Sequence, residues 1–95
     1  MPRGGPRLRT QNNKLNQIGP RARERRQVLH LEQDEVCARV ATETRGAWNP
    51  GWQDLSRIEN GARMVSDLEV LVLAQVLECS ACWLLLGAAE EKIPR

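Results

Sequence analysis

The sequence contains no phenylalanine and no tyrosine, and three tryptophans are its whole aromatic complement. Its core must therefore be aliphatic, and Val, Leu and Ile concentrate between Leu68 and Leu86. Cysteine is scarce and odd in number, three in all, which argues against a disulfide framework. No apolar run approaches the roughly 20 residues of a membrane-spanning helix. The two longest, near residues 68–77 and 81–86, are short and broken by charge or glycine. No apolar stretch follows the basic N-terminus, so no secretion signal is expected. These absences predict a soluble, cytoplasmic chain with no membrane partner.

Acid is nearly missing from the first part of the chain. Residues 1–26 hold eight basic side chains against one acid, Glu24, a local charge of +7. The remainder holds six basic and eleven acidic residues, a charge of −5, so the overall +2 hides a strong asymmetry. Such asymmetry fits either a basic arm that meets a polyanion or a solvated leader that binds nothing. With 95 residues, 41% of them apolar and 27% charged, the chain suffices for one compact soluble domain.

Residues 1–17 combine Pro2, Gly4, Gly5 and Pro6 with a polar run and show no periodic apolar face, which predicts a flexible arm. Five helical signals follow. The first spans residues 20–29, with Pro20 in the first turn, where no N–H is needed, and a narrow inner stripe of Ala22, Arg25, Arg26 and Leu29. The second spans 33–42, with Asp34 and Glu35 at its positive end and Val36, Cys37, Val40 and Ala41 as its stripe. Asn49-Pro50 reads as a cap and entry for a third helix that runs from Pro50 or Trp52 to Asn60 and stops at Gly61. Leu55 and Ile58 form its inner side with Glu59 at the edge, while Trp52, Gln53, Ser56, Arg57 and Asn60 lie outward. Ser66 and Glu69 form a capping box for a fourth helix that is apolar nearly all round and hence expected to be buried. A fifth begins at Ser80 and stops at Gly87, and residues 88–95 read as a polar tail.

Gln33-Asp34-Glu35-Val36, Leu55-Ser56-Arg57-Ile58-Glu59-Asn60-Gly61, Val65-Ser66-Asp67-Leu68-Glu69 and Trp83-Leu84-Leu85-Leu86-Gly87 stand in a distinctive order. Together with Ile18-Gly19-Pro20-Arg21, this order resembles the helix-turn-helix domain of phage repressors, Cro proteins and related bacterial regulators, the XRE family. The resemblance covers residues 18–87. It implies an all-α, compact five-helix, lambda-repressor-like fold and a sequence-specific transcriptional regulator, a repressor rather than an activator, bound to double-stranded DNA. In that motif one helix crosses the DNA backbone and the next enters the major groove. By position, Trp52, Gln53 and Arg57 would contact bases, and Gln33, Ser56, Asn60 and Arg63 would contact the DNA backbone. Gln suits adenine and Arg suits guanine as bidentate partners. A homodimer is expected from the family and from operator symmetry.

Two departures stand out. The link between the second and third helices is longer than the usual three or four residues, and it contains Gly46 and Trp48. Glu78 also stands where the family usually has Gly between its last two helices, and Glu is costly there if the backbone is left-handed.

Other chemistry has little support. Cys79-Ser80-Ala81-Cys82 is a C-x-x-C, but a zinc site needs four ligands, and His30 and Cys37 join only if the fold gathers them. The simpler expectation is Cys79 in the core and Cys82 half-exposed, with no metal and no cofactor. No nucleophile–base–acid set or Gly-rich phosphate loop is present, so no enzymatic activity is expected. The alternative function is a protein-interaction module, an antitoxin or an anti-regulator, that keeps the fold without reading DNA.

Overall fold

A computed structural model of the chain describes residues 7–87; the glycine- and proline-rich start and the polar tail of the sequence lie outside the described residues. Five helices follow in order: α1 (Gly19–Val28), α2 (Gln33–Glu43), α3 (Trp52–Glu59), α4 (Asp67–Val76) and α5 (Ala81–Leu86). No strand occurs among the described residues. None of these helices is long and apolar enough to cross a membrane.

The core is aliphatic, as the missing Phe and Tyr require. Ile18, Val36, Val40, Ile58, Leu73, Leu77 and Leu84 are all buried to within 2% of complete. They come from every layer of the molecule: α2 packs on both α3 and α4, α1 packs on α3, and α4 packs on α5. Trp48, Val65 and Trp83 close the edges of this cluster.

Helix starts follow the sequence signals in four of five cases. Pro20 sits in the first turn of α1, Glu35 accepts from the Glu32 N–H at α2 (2.7 Å), and Ser66 and Glu69 form the reciprocal box at α4. The Ser80 hydroxyl accepts from the Trp83 N–H at α5 (2.8 Å). The exception is α3. Asn49 does not cap it; the cap position is Gly51, extended at φ −90°, and the helix begins at Trp52. Pro50 favours extended backbone in the residue before it, so the chain runs straight past Asn49 and turns helical only after Gly51.

Four of the five helix ends, those of α1 to α4, share one device. The N–H groups of His30 and Leu31 return to the carbonyls of Gln27 and Arg26, those of Arg45 and Gly46 to Thr42 and Ala41, those of Gly61 and Ala62 to Ile58 and Arg57, and those of Glu78 and Cys79 to Gln75 and Ala74. Each pair is the two-bond closure that requires a left-handed residue just past the helix. His30, Arg45, Gly61 and Glu78 hold that position at φ of 58°, 54°, 73° and 58°. Only one of the four is the glycine that adopts this geometry without strain.

The connection of residues 44–51 is organised rather than loose. The Thr44 hydroxyl lies 2.9 Å from the Val40 carbonyl and accepts from the Trp48 N–H (3.0 Å). Trp48 thereby packs against the core.

Two expectations are revised. Residues 10–17 are not a loose arm: Thr10 to Lys14 close a turn, the Leu15 N–H donates to the Gly61 carbonyl (2.9 Å), and the Asn16 amide donates to the carbonyls of Ile58 (3.0 Å) and Arg63 (2.9 Å). Polar residues with no apolar period can dock through hydrogen bonds alone, which a search for periodicity does not detect. Helix α4 is not buried all round. Val70, Leu73, Ala74 and Val76 are buried, whereas Leu68 and Leu71 are exposed, because α2 and α5 cover only part of its circumference.

The strain at Glu78 is directly testable. Its side chain makes only an exposed ion pair with Arg39 at 3.6 Å, which is worth little. Glu78→Gly relieves the left-handed penalty, and chemical denaturation is expected to show about 1 kcal/mol of added stability. A loss of stability in that variant would contradict the assignment.

Candidate functional site

Helix α3 has two unlike sides. Leu55, Ile58 and Glu59 are buried. At 3.6 residues per turn, Gln53, Arg57 and Asn60 fall on the opposite side, and all three are exposed. The Arg57 side chain is 61% exposed and only loosely paired with Asp54 at 3.9 Å. Trp52, at the start of the helix, is 51% exposed. Ser56 is half-buried between the two sides. The exposure of Gln53 and Arg57 leaves this flank open, and Trp48 of the 44–51 connection packs against the core instead.

What holds α3 in this orientation is a buried carboxylate. The Glu59 side chain is 1% exposed. Arg26 of α1 binds it with two parallel bonds, Nε to Oε2 at 2.7 Å and Nη2 to Oε1 at 2.9 Å. Gln33 of α2 donates to Oε1 at 3.1 Å, and Arg23 of α1 approaches at 3.4 Å. A paired, charge-assisted arrangement of this kind is the condition under which a carboxylate tolerates burial. The hydrogen bond to Glu59 is the main reason the Arg26 guanidinium holds its proton even more firmly than usual. Backbone contact adds to the clamp. A Cβ on Gly19 would fall 2.6 Å from the carbonyl oxygens of Ile58 and Glu59, so only glycine lets α1 approach the end of α3 this closely.

Spacing alone places Glu59 at the edge of α3 and does not reveal that Arg23, Arg26 and Gln33 fix the helix. The signal was present, because Arg26 lies on the inner stripe of α1 with Ala22 and Leu29, where an arginine requires an anion.

Three of the residues expected at the DNA backbone have internal partners. The Gln33 amide donates inward to Glu59, as above. The Asn60 side-chain amide oxygen, Oδ1, accepts from Arg23 Nη2 at 2.7 Å. Arg63 differs most from its expected place. Its side chain is 19% exposed, and it bonds Asp54 at 2.9 Å and both oxygens of Glu69, at 3.0 and 3.1 Å. These bonds join α3 to α4, with the charge of Arg63 already matched by two carboxylates.

The remaining arginines of α1 are also committed. Arg21 donates to the carbonyls of Leu84 (2.7 Å) and Leu85 (2.9 Å) at the end of α5, and Arg25 donates to those of Leu77 (3.1 Å) and Glu78 (3.1 Å) at the end of α4. Cations suit the carbonyl ends of helices. An open groove of mixed charge lies between α1 and the starts of α2 and α3, with Arg23, Asp34 and Trp52 on its walls.

The three cysteines are free thiols. Cys37 is buried, Cys79 half-buried and Cys82 exposed. Burial, then the nearby carboxylates, push the Cys37 thiol above its ordinary value. No three His, Cys, Asp or Glu side chains come together among the described residues in a way that could hold a metal ion.

Two outcomes follow for the supports of α3. Glu59→Ala strands Arg26 in the interior and is expected to cost about 3–5 kcal/mol in denaturant unfolding; a cost below 1 kcal/mol would contradict the clamp. The hydrogen bond from Arg63 holds the Glu69 carboxyl below its usual range. A carboxyl whose folded value is depressed contributes stability above its unfolded value and loses it as pH falls through the folded one. Glu69→Gln is therefore expected to flatten the loss of stability below about pH 4.3, the unfolded reference. An unchanged acid profile would show that the pair contributes nothing.

Compared with known proteins, the chain matches no family model, no curated protein and no solved structure at a significant level.

Proposed function

We propose that this chain is a sequence-specific DNA-binding regulator of the lambda-repressor-like helix-turn-helix type, with α3 as the helix that enters the major groove. The observation that carries the proposal is the outward flank of α3: Gln53 and Arg57 are exposed on the side opposite the core, on a helix clamped at its far end. An α-helix fits the major groove, where bidentate side chains distinguish base pairs. Arg57 can leave its 3.9 Å contact with Asp54 at little cost. Trp52, exposed beside them, offers an apolar face to a thymine methyl or a sugar edge. Gln33 and Asn60 would approach the DNA backbone at the two ends of this surface, whereas Arg63 is better suited to supporting it. Repression is the favoured mode, since occupancy of DNA alone blocks a polymerase. A homodimer would match a two-fold operator, and exposed Leu85 and Leu86 of α5 give it an apolar face.

One observation favours the second reading, a protein-interaction module. Leu68 and Leu71, one turn apart on α4, are 70% and 55% exposed and stand outside the surface assigned to DNA.

Selection from a pool of random duplexes at fixed salt separates the two. The DNA reading expects an enriched sequence. It also expects Arg57→Ala to relax preference at one base pair by about 1–3 kcal/mol while the fold stays intact. Failure of the wild-type chain to enrich any sequence would overturn it.

A further inference from the structure

The basic character of the chain divides unequally once its partners are known. Arg21, Arg23, Arg25 and Arg26 are bound to carbonyls, to Asn60 or to Glu59. Arg7, Arg9 and Lys14 are exposed, and none forms an ion pair with a carboxylate among the described residues. No Asp or Glu precedes Glu24 in the sequence to neutralise them.

The base of the segment that carries them is fixed, and the Thr10–Lys14 turn, to which Arg9 bonds at Asn13, stands on it. The Leu15 N–H is bonded to the Gly61 carbonyl, and the side chain of Lys14 lies over Gly61 so closely that a Cβ there would meet it at 2.8 Å. Asn16 holds the carbonyls of Ile58 and Arg63 on either side. The segment carrying the three cations therefore leaves the body beside Asn60 and Gly61, at the C-terminal end of α3.

We infer that residues 7–14 form a second, phosphate-directed contact with duplex DNA, held against the end of α3 by the Leu15–Gly61 and Asn16 bonds. This inference rests on the proposed function above. A helix lying in the major groove has a phosphate backbone on each side, and its C-terminal end carries partial negative charge that repels those phosphates. Cations anchored at that end offset the repulsion and add attraction of their own. The contact is electrostatic and does not read sequence, because phosphate contacts position a protein and base contacts specify its site.

The test uses the full chain and the duplex enriched by the wild type, with affinity measured across a sodium chloride series. Arg7→Gln with Arg9→Gln is expected to reduce the magnitude of the log–log salt slope by about 1.8, the value for two lost phosphate contacts. Base preference should be unchanged, and phosphate-ethylation interference should vanish at one edge of the footprint only. Arg7→Lys with Arg9→Lys should keep the slope, and Arg39→Gln, a neutralisation on the α2–α4 side, should leave it unaltered. If the double Gln variant keeps the wild-type slope and interference pattern, the contact does not exist, although α3 would still read DNA. If the wild-type chain enriches no duplex, the functional reading fails and this contact fails with it.

Discussion

The structure turns on one buried negative charge. Glu59 sits where three helices meet, and a carboxylate there costs several kcal/mol unless it is fully met by donors. Arg26 and Arg23 from α1 and Gln33 from α2 meet it. Because these donors come from two directions, α3 has one rotational setting about its own axis. The outward position of Gln53 and Arg57 follows from that setting. Gly19 reinforces it by letting the start of α1 touch the last carbonyls of α3. At the other side, Arg63 ties Asp54 to Glu69 and stops α3 from swinging relative to α4. The side chains that face solvent on α3 are therefore presented by a rigid base.

Charge in this molecule does two separate jobs that composition cannot tell apart. Four arginines in α1 serve the fold, by closing carbonyl ends of α4 and α5 and by neutralising Glu59. The same residue type earlier in the chain, at Arg7 and Arg9, is exposed and meets no carboxylate or helix end among the described residues, Arg9 bonding only the nearby Asn13 carbonyl at 3.3 Å. An arginine on the inner stripe of a helix is evidence for a buried acceptor rather than for a polyanion. The asymmetry of +7 against −5 thus overstates the charge available to any external partner.

The five helices and most of their starts were legible, because apolar spacing and capping residues are local signals: the Ser66–Glu69 box and Ser80 place α4 and α5 to the residue. Helix ends were less legible. His30, Arg45 and Glu78 occupy left-handed positions that usually announce themselves with glycine, and here tertiary packing imposes the conformation. The start of α3 was legible only to within Pro50 or Trp52, because Asn-Pro marks extended chain as readily as helix entry; the helix begins at Trp52, with Gly51 rather than Asn49 at the cap. For the candidate site, exposure of Gln53 and Arg57 followed from the position of Leu55 and Ile58, whereas Trp52 fitted burial beside Leu55 as well as the exposure it has. The neutralisation of Arg63 did not follow, since Asp54 and Glu69 reach it from two helices whose mutual placement is a property of the whole fold. The docking of Asn16 was hidden for the same reason, with partners more than 40 residues away.

In the proposed regulator, the rotation of α3 imposed by Glu59 makes its Gln53–Arg57 flank the surface that meets DNA. Heteronuclear NMR of the labelled chain during titration with its selected duplex tests this residue by residue. The largest shifts are expected at the Trp52 indole, the Gln53 amide and the Arg57 guanidinium, with Leu68 and Leu71 of α4 unmoved. Shifts concentrated at Leu68, Leu71, Leu85 and Leu86, with α3 silent, would contradict it.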